Sequence, residues 1–590
     1  MSVLSFRWFA TFALVAFFAG AEASTPEDEP SNFANDNEIA MKRMMTDMAV
    51  KQSGDIDRDF AAMMIPHHQG AIDMAKAELR YGHNEQLRRI AQEIIVDQQQ
   101  EIVAMRLALD QPLSSSVPAS PQVSNAGSEP DASTEPDIRI SHHDRVYAAE
   151  QFSNTVSVTD PADNKLLGVI RLGEPSPANF SPLYKGQVLV HSMGFSPDHK
   201  TLAVVSIGSN SVTFIDTMTN AIKHTTYVGR SPHEAFYTRD GTEVWVTVRG
   251  ENYVSVIDAK TFAEKTRIVT PAGPGMQIFS PDGKYGYVCS SFNPETVVVE
   301  VATHQIVGQV KQDSPFCPNI AATPDGKQVW FTLKDVGRTM VFDAQPPFAV
   351  IKSLDTGPIT NHVNFARTPK GLFAYVSIGG LNEIKVFRTD DFSQVAIIPV
   401  GKLPHGVWPS GDGSRIYVGL ENADALTAID TASNTIVGNI AVGQAPQAVV
   451  YVPDAVPHGD GLQGLQPLGV AGQVAHLTLL PVKDGKPVSG ENPPTSVTLF
   501  EQGLTQIIQA AVTGLVPKQS YVLALADQSD GSGALEPLAV FTTNPAGAAI
   551  VNAIGPIRTV VQGEDREKRR YLVIAPHTRN TNGAPVQTQK

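Results

Sequence analysis

Cysteine, basic charge and long hydrophobic runs are all scarce in this 590-residue chain. Cys289 and Cys317 are its only cysteines. Two thiols build neither a four-cysteine zinc knot nor a disulfide framework. Lys and Arg number 45 against 60 Asp and Glu, a formal net charge of −15. That balance argues against a nucleic-acid partner and offers a membrane surface no basic patch. There is no phosphate-binding Gly-rich loop with Lys, and no Gly-x-Ser-x-Gly elbow. The single long apolar run is N-terminal: Trp8 to Gly20 follows Arg7 and precedes Ala21-Glu22-Ala23. Residues 1–23 are therefore expected to be a signal peptide cleaved near Ala23, an uncleaved anchor being the alternative. The mature chain is expected to be periplasmic or secreted, with no membrane span. In that oxidising compartment Cys289 and Cys317 are expected to pair, since no third thiol is present to complete a metal site.

Methionine and histidine are present, and they cluster. Eight of the 13 Met lie between Met41 and Met105. Met63-Met64-Ile65-Pro66-His67-His68 forms the centre of the cluster, with Met74 beyond it. At 100° per residue Met63, His67 and Met74 share one helical face, and Met64 and His68 the adjoining one. Met41, Met44, Met45 and Met48 recur at i, i+3, i+4 and i+7, one stripe of a preceding helix. Gln98, Glu101 and Met105 do the same on a following one. Thioether and imidazole suit copper, Cu(I) especially, better than magnesium or calcium. The alternative is that Met fills gaps in a small core. Two adjacent His are poor filler for such a core. The candidate metal ligands are thus His67, His68, Met63, Met64, Met74, Met44, Met45, Met48, Glu101 and Met105. Pro66 should kink the middle helix or mark an irregular first turn.

These residues carry a family resemblance. Asp57-x-x-Phe60-x-x-x-Met64-Ile65-x-His67-His68-x-x-Ala71-Ile72-x-Met74-Ala75, followed by Gln98-x-x-Glu101-Ile102-x-x-Met105, resembles the domain of unknown function 305. The resemblance implies a ferritin-like helical fold and, from some members, copper binding and tolerance. It covers residues 38–110, expected to be a small all-α bundle of three main helices.

Residues 111–137 are rich in Ser, Pro and Ala and are expected to be a disordered linker. Beyond them a unit of about 43 residues recurs. An Asp-Gly turn marks it at Asp240-Gly241, Asp282-Gly283, Asp325-Gly326 and Asp412-Gly413. Each turn joins two short alternating strands, and segments such as Tyr253–Asp258 and Leu426–Asp430 supply a third. The pattern predicts a seven-bladed β-propeller over 138–455, and it is similar to the YVTN-type propeller family. The strand Gln447–Val452 is expected to complete the first blade and close the ring.

One register of the repeat carries chemistry. Counting back eight residues from the turn glycine or its equivalent reaches His191, His233, Gly275, Pro318 and His405, with His362 in the blade that has one extra residue. Four histidines at spacings of 42, 129 and 43 residues should ring one mouth of the central channel. They can hold a metal or an anionic ligand, or they can cap backbone groups where a strand begins.

Residues 466–577 alternate polar and apolar positions between Gly and Pro turns and predict a C-terminal β-sandwich. Residues 578–590 are expected to be a disordered tail. The whole is expected to be multidomain. Three functions fit: an exported metal-binding protein for copper storage, tolerance or delivery, with the propeller as second site or docking platform; a propeller metalloenzyme, either a redox copper site or a lactonase-like hydrolase; or an envelope scaffold holding a partner protein.

Overall fold

Seven four-stranded antiparallel sheets follow one another along the chain, as the 43-residue repeat predicts. The computed structural model describes residues 29–49, 53–82, 91, 94, 98, 102, 139–173, 188–468, 474–483, 486–488, 494–502, 505–555, 561, 569–578 and 581–589. Residues 1–119 and 120–590 are separate units.

In the first unit, α1 spans Glu29–Met48 and α2 spans Ile56–Tyr81. Asp55 caps α2 by accepting from the N–H groups of Asp57 and Arg58. The helix continues through Pro66. Gly70 lets α1 close in, because a Cβ there would sit 2.6 Å from Met44 Sδ. Ala91, Ile94, Gln98 and Ile102 are also helical, with Ala91 and Ile102 buried. The rest of the expected third helix, Asn84, Glu101 and Met105 included, lies outside the described residues, as do the signal segment and the linker.

In the second unit the blades begin at their innermost strands: Pro446–Val452 for blade one, then Val190–Phe195, Pro232–Tyr237, Pro274–Phe279, Ile320–Ala322, Thr360–Thr368 and Pro404–Pro409 for blades two to seven. Val-rich second strands such as Glu243–Val248 and Tyr285–Ser290 are buried throughout, because each lies between two neighbouring blades. Outermost strands such as Glu264–Val269 are mostly exposed. The turns follow from chemistry: Thr238 Oγ1 donates to Asp240, whose carboxylate accepts from Thr242 N, while Gly241 takes a φ of 70°. His199 occupies the same left-handed place in blade two, with φ 62°.

The ring closes as expected. Pro446–Val452 pairs antiparallel with Arg145–Glu150, Val146 opposite Tyr451. Cys289 and Cys317 form a disulfide with Cα atoms 6.0 Å apart, tying blade four to the start of blade five.

The C-terminal strands hydrogen-bond through one continuous antiparallel sheet, and Leu477, Leu499 and Ile508 share a single core with Tyr521, Leu523 and Leu572. Gln587–Gln589, placed by composition in the tail, is a buried strand pairing with Val474–Lys483 and Tyr571–Thr578. Gln587 has partners that composition does not reveal: Thr495 Oγ1 donates to its side chain, and its amide donates to Thr513 O.

Candidate functional site

The histidine end of the channel is assembled from two rings of residues. The first ring is the position predicted from the repeat. In blade order it holds Gln447, His191, His233, Gly275, Pro318, Asn361 and His405. Asn361, not His362, occupies it in blade six. A hydroxyl on the second strand of one blade donates to the carbonyl at this position in the next, and the pairs are Thr247 to Gly275, Thr332 to Asn361 and Ser377 to His405. His362 instead receives on its N–H the contact that Glu234 makes in blade three, a hydroxyl on the same blade's second strand. The extra residue of blade six thus moves its histidine one place along the strand.

The side chains still meet in pairs. The His191 and His233 rings are 4.6 Å apart, and those of His362 and His405 are 4.8 Å apart. All four imidazoles are held neutral: burial is the main cause, and it lowers His191 and His362 to about 3. Arg249 and Lys334 add to this, Arg249 acting on His191 and His233 and Lys334 on His191, His362 and His405.

Those two cations belong to the second ring, which the sequence reading missed. It lies eight residues after the turn glycine, mirroring the histidine register, and comprises Gln151, Ile207, Arg249, Ser291, Lys334, Gly379 and Glu421. Counting forward as well as back finds it. Burial lowers Arg249 to about 10 and lowers Lys334 too, while burial raises Glu421. Lys334 is balanced in part by Glu421 and Asp335. Among the described residues no carboxylate lies within 4 Å of the Arg249 guanidinium.

Both ends of this space are covered. Below, Trp408 of blade seven reaches Phe236 of blade three, ring to ring at 6.3 Å, and Phe195 of blade two at 6.0 Å. Blades three and seven are not neighbours, so these rings fill the channel. Above, the C-terminal sheet packs on the mouth loops. Phe500 meets Phe152 with ring centres 4.7 Å apart. Ala511 and Ala548 cluster with Ile359 and Leu403. Thr498 Oγ1 donates to Asn422 O, and Gln509 bonds the Glu421 carboxyl.

The chamber does not gather a metal-ligand triad. Among the described residues, one set of three His, Cys, Asp or Glu side chains brings all its ligand atoms within 4.8 Å of one another: His142, Asp160 and Asp163, on the outside of blade one. The His142–Asp160 bond of 2.8 Å accounts for that grouping as an ion pair. In the chamber, His362 is also in the wrong tautomer for ligation through Nε2. Asn319 Oδ1 accepts from Val363 N, so its amide nitrogen faces His362 Nδ1 at 3.3 Å. Nδ1 is then the acceptor, and Nε2 carries the proton. His233 and His405 point at the backbone of the next blade, at Gly275 and Gln447; His233 Nδ1 is buried without a hydrogen bond, and His405 Nδ1 lies 3.9 Å from Glu421 Oε2. Glu234, next to His233, is buried with Oε2 unpaired, and burial raises its carboxyl well above the usual range.

The helical unit has a different character. His68 is buried and its Nδ1 lies 2.7 Å from Met64 O. His67, Met63 and Met45 are exposed; Met44, Met48, Met64 and Met74 are half-buried. Met44 lies against Gly70, two residues beyond His68.

Residues 15–109 match the family model described as Domain of unknown function (DUF305). The match spans the whole His/Met cluster. No curated protein matches the chain. Among solved structures it is similar to the hydrazine synthase of Kuenenia stuttgartiensis, with 20% identity and a TM-score of 0.41, over 45% of this chain and 90% of that one. It is also similar to a functionally unknown protein from Desulfotomaculum acetoxidans, with 14% identity and a TM-score of 0.44, over 52% of this chain and 98% of that one.

Proposed function

We propose that this is an exported metal-binding protein whose DUF305 segment holds a soft metal ion, copper above all, for storage, tolerance or delivery. His68 carries the reading. Its Nδ1–H donates to the Met64 carbonyl at 2.7 Å, which fixes the ring and makes Nε2 the nitrogen that would ligate. Metal-binding imidazoles are commonly oriented by such a bond on the other nitrogen. The thioethers of Met44, Met63, Met64 and Met74 and the imidazole of His67 supply a donor set that favours Cu(I). Met45 and Met48 on α1 extend it. A bound copper would supply redox or Lewis-acid chemistry; the residues hold and shield it. The propeller then serves as the exported platform that carries this unit.

The test is an anaerobic Cu(I) titration of the full chain against a competing chelator. His67→Ala/His68→Ala should weaken binding at least tenfold with an unchanged melting midpoint for the propeller. Equal affinity in wild type and variant would remove the assignment.

A further inference from the structure

The chamber between the propeller mouth and the C-terminal sheet combines features that a structural plug does not require. It contains a guanidinium, an ammonium and four imidazoles. Arg249 and Lys334 repel one another and come from non-adjacent blades, three and five. Both are half-buried, and among the described residues Arg249 has no carboxylate within 4 Å to offset its charge. The imidazoles around it are neutral hydrogen-bonding groups, and His362 presents Nε2–H as a donor. Such a lining opposes a bare divalent cation, which would face Arg249 and Lys334 directly. It suits a group that brings negative charge and several acceptor lone pairs.

From this we infer that the chamber is a binding site for a small oxyanion, a phosphate-, sulfate- or carboxylate-type group, held between Arg249 and Lys334 with His362 Nε2–H as a further donor. Arg249 provides the planar donor fork such groups accept. Lys334 provides a point charge that Glu421 and Asp335 only partly offset. The C-terminal sheet packs over the mouth loops and leaves Arg249 and Lys334 half-buried, which limits the water that weakens each of these bonds. Gln509 on the Glu421 carboxyl is the contact through which the sheet completes the chamber. The site is independent of the helical unit, and nothing in it depends on copper.

The experiment uses the full chain and three probes: inorganic phosphate, sulfate and acetate. Calorimetric titration and the thermal midpoint of the propeller are both read. At least one probe should bind and raise the midpoint. Arg249→Gln should weaken that binding at least tenfold while leaving the ligand-free midpoint unchanged or higher, because it removes a half-buried cation that Lys334 repels. Lys334→Gln should also weaken binding. A structural arginine would behave in the opposite way, lowering the ligand-free midpoint and leaving any anion response intact. Overturning results are that no probe binds wild type, that Arg249→Gln binds as well as wild type, or that the chamber takes up Zn(II) or Cu(II) in a His67→Ala/His68→Ala background and no anion.

Discussion

Single buried groups set the pH response. Glu150 is fully buried; it accepts from Thr155 Oγ1 at 2.6 Å and Ser157 N at 3.2 Å, yet burial still raises its carboxyl from 4.5 to about 7. The native state therefore keeps a proton that the unfolded chain has released between pH 4.5 and 7. This contribution to stability is complete below pH 4.5 and is lost as pH rises through 7. It amounts to on the order of 3 kcal/mol. Asp424, raised by burial and by Glu150 beside it, acts in the same sense. His191 and His362 act in the opposite sense. Their folded values near 3 lie below the ordinary 6.5, so their contribution is present above pH 6.5 and is lost as pH falls. Glu150→Gln should thus lose less stability than wild type between pH 5 and pH 8, measured by urea midpoints. Equal losses would mean that the slope comes from elsewhere. The histidines of this network were legible in the sequence because they repeat at a fixed distance from a turn. The cations were not, although they repeat too. Arg249, Lys334 and Glu421 share a register but not a residue type, and a search for like residues passes over them.

Elements show where local pattern sufficed. Blade turns were legible because the Asp-Gly pair both accepts the turn N–H and takes the left-handed backbone. Blade five is the exception that the disulfide repairs. Its innermost strand spans only Ile320–Ala322, since Cys317 and Pro318 stand where the other blades continue pairing. The bridge joins residues 28 apart, which corresponds to about 3.5 kcal/mol of restricted unfolded-chain freedom. Cys289→Ala/Cys317→Ala should lower the urea midpoint accordingly, and hydrogen exchange should quicken first in residues 318–333. Uniform quickening across all blades would argue against a local role. In α2, Gly70→Ala sets two effects against each other. Helix propensity favours alanine by about 1 kcal/mol. The new Cβ, however, meets Met44 Sδ at 2.6 Å and must push α1 away. The expected outcome is a helical unit no more stable than wild type with weaker Cu(I) binding. Unchanged binding would show that Met44 is not among the ligands.

At the scale of the molecule, the propeller was readable because each blade repeats the same local rules, and closure was readable from a spare strand. The placement of the C-terminal sheet was not. It rests on contacts such as Phe152–Phe500 and Ala511–Leu403, which join residues far apart in sequence with no periodic signature. The same holds for Gln587–Gln589, whose polar residues read as tail until their partners are known. Two truncations separate the roles. A chain ending at residue 468 keeps the closing strand and should remain folded, with Phe152, Ile359 and Leu403 newly exposed. A chain ending at residue 445 loses the partner of Arg145–Glu150 and should aggregate, because it leaves an open strand edge. Light scattering distinguishes them, and similar solubility of both would show that closure contributes little. The pairing of Val146 with Tyr451 also has a temporal side. Some 300 residues must leave the ribosome between the two halves of blade one, roughly 15–60 s at ordinary elongation rates. For that interval one edge of Arg145–Glu150 stays open although its other edge is paired, and a route that delivers the chain unfolded and all at once spares that edge the wait.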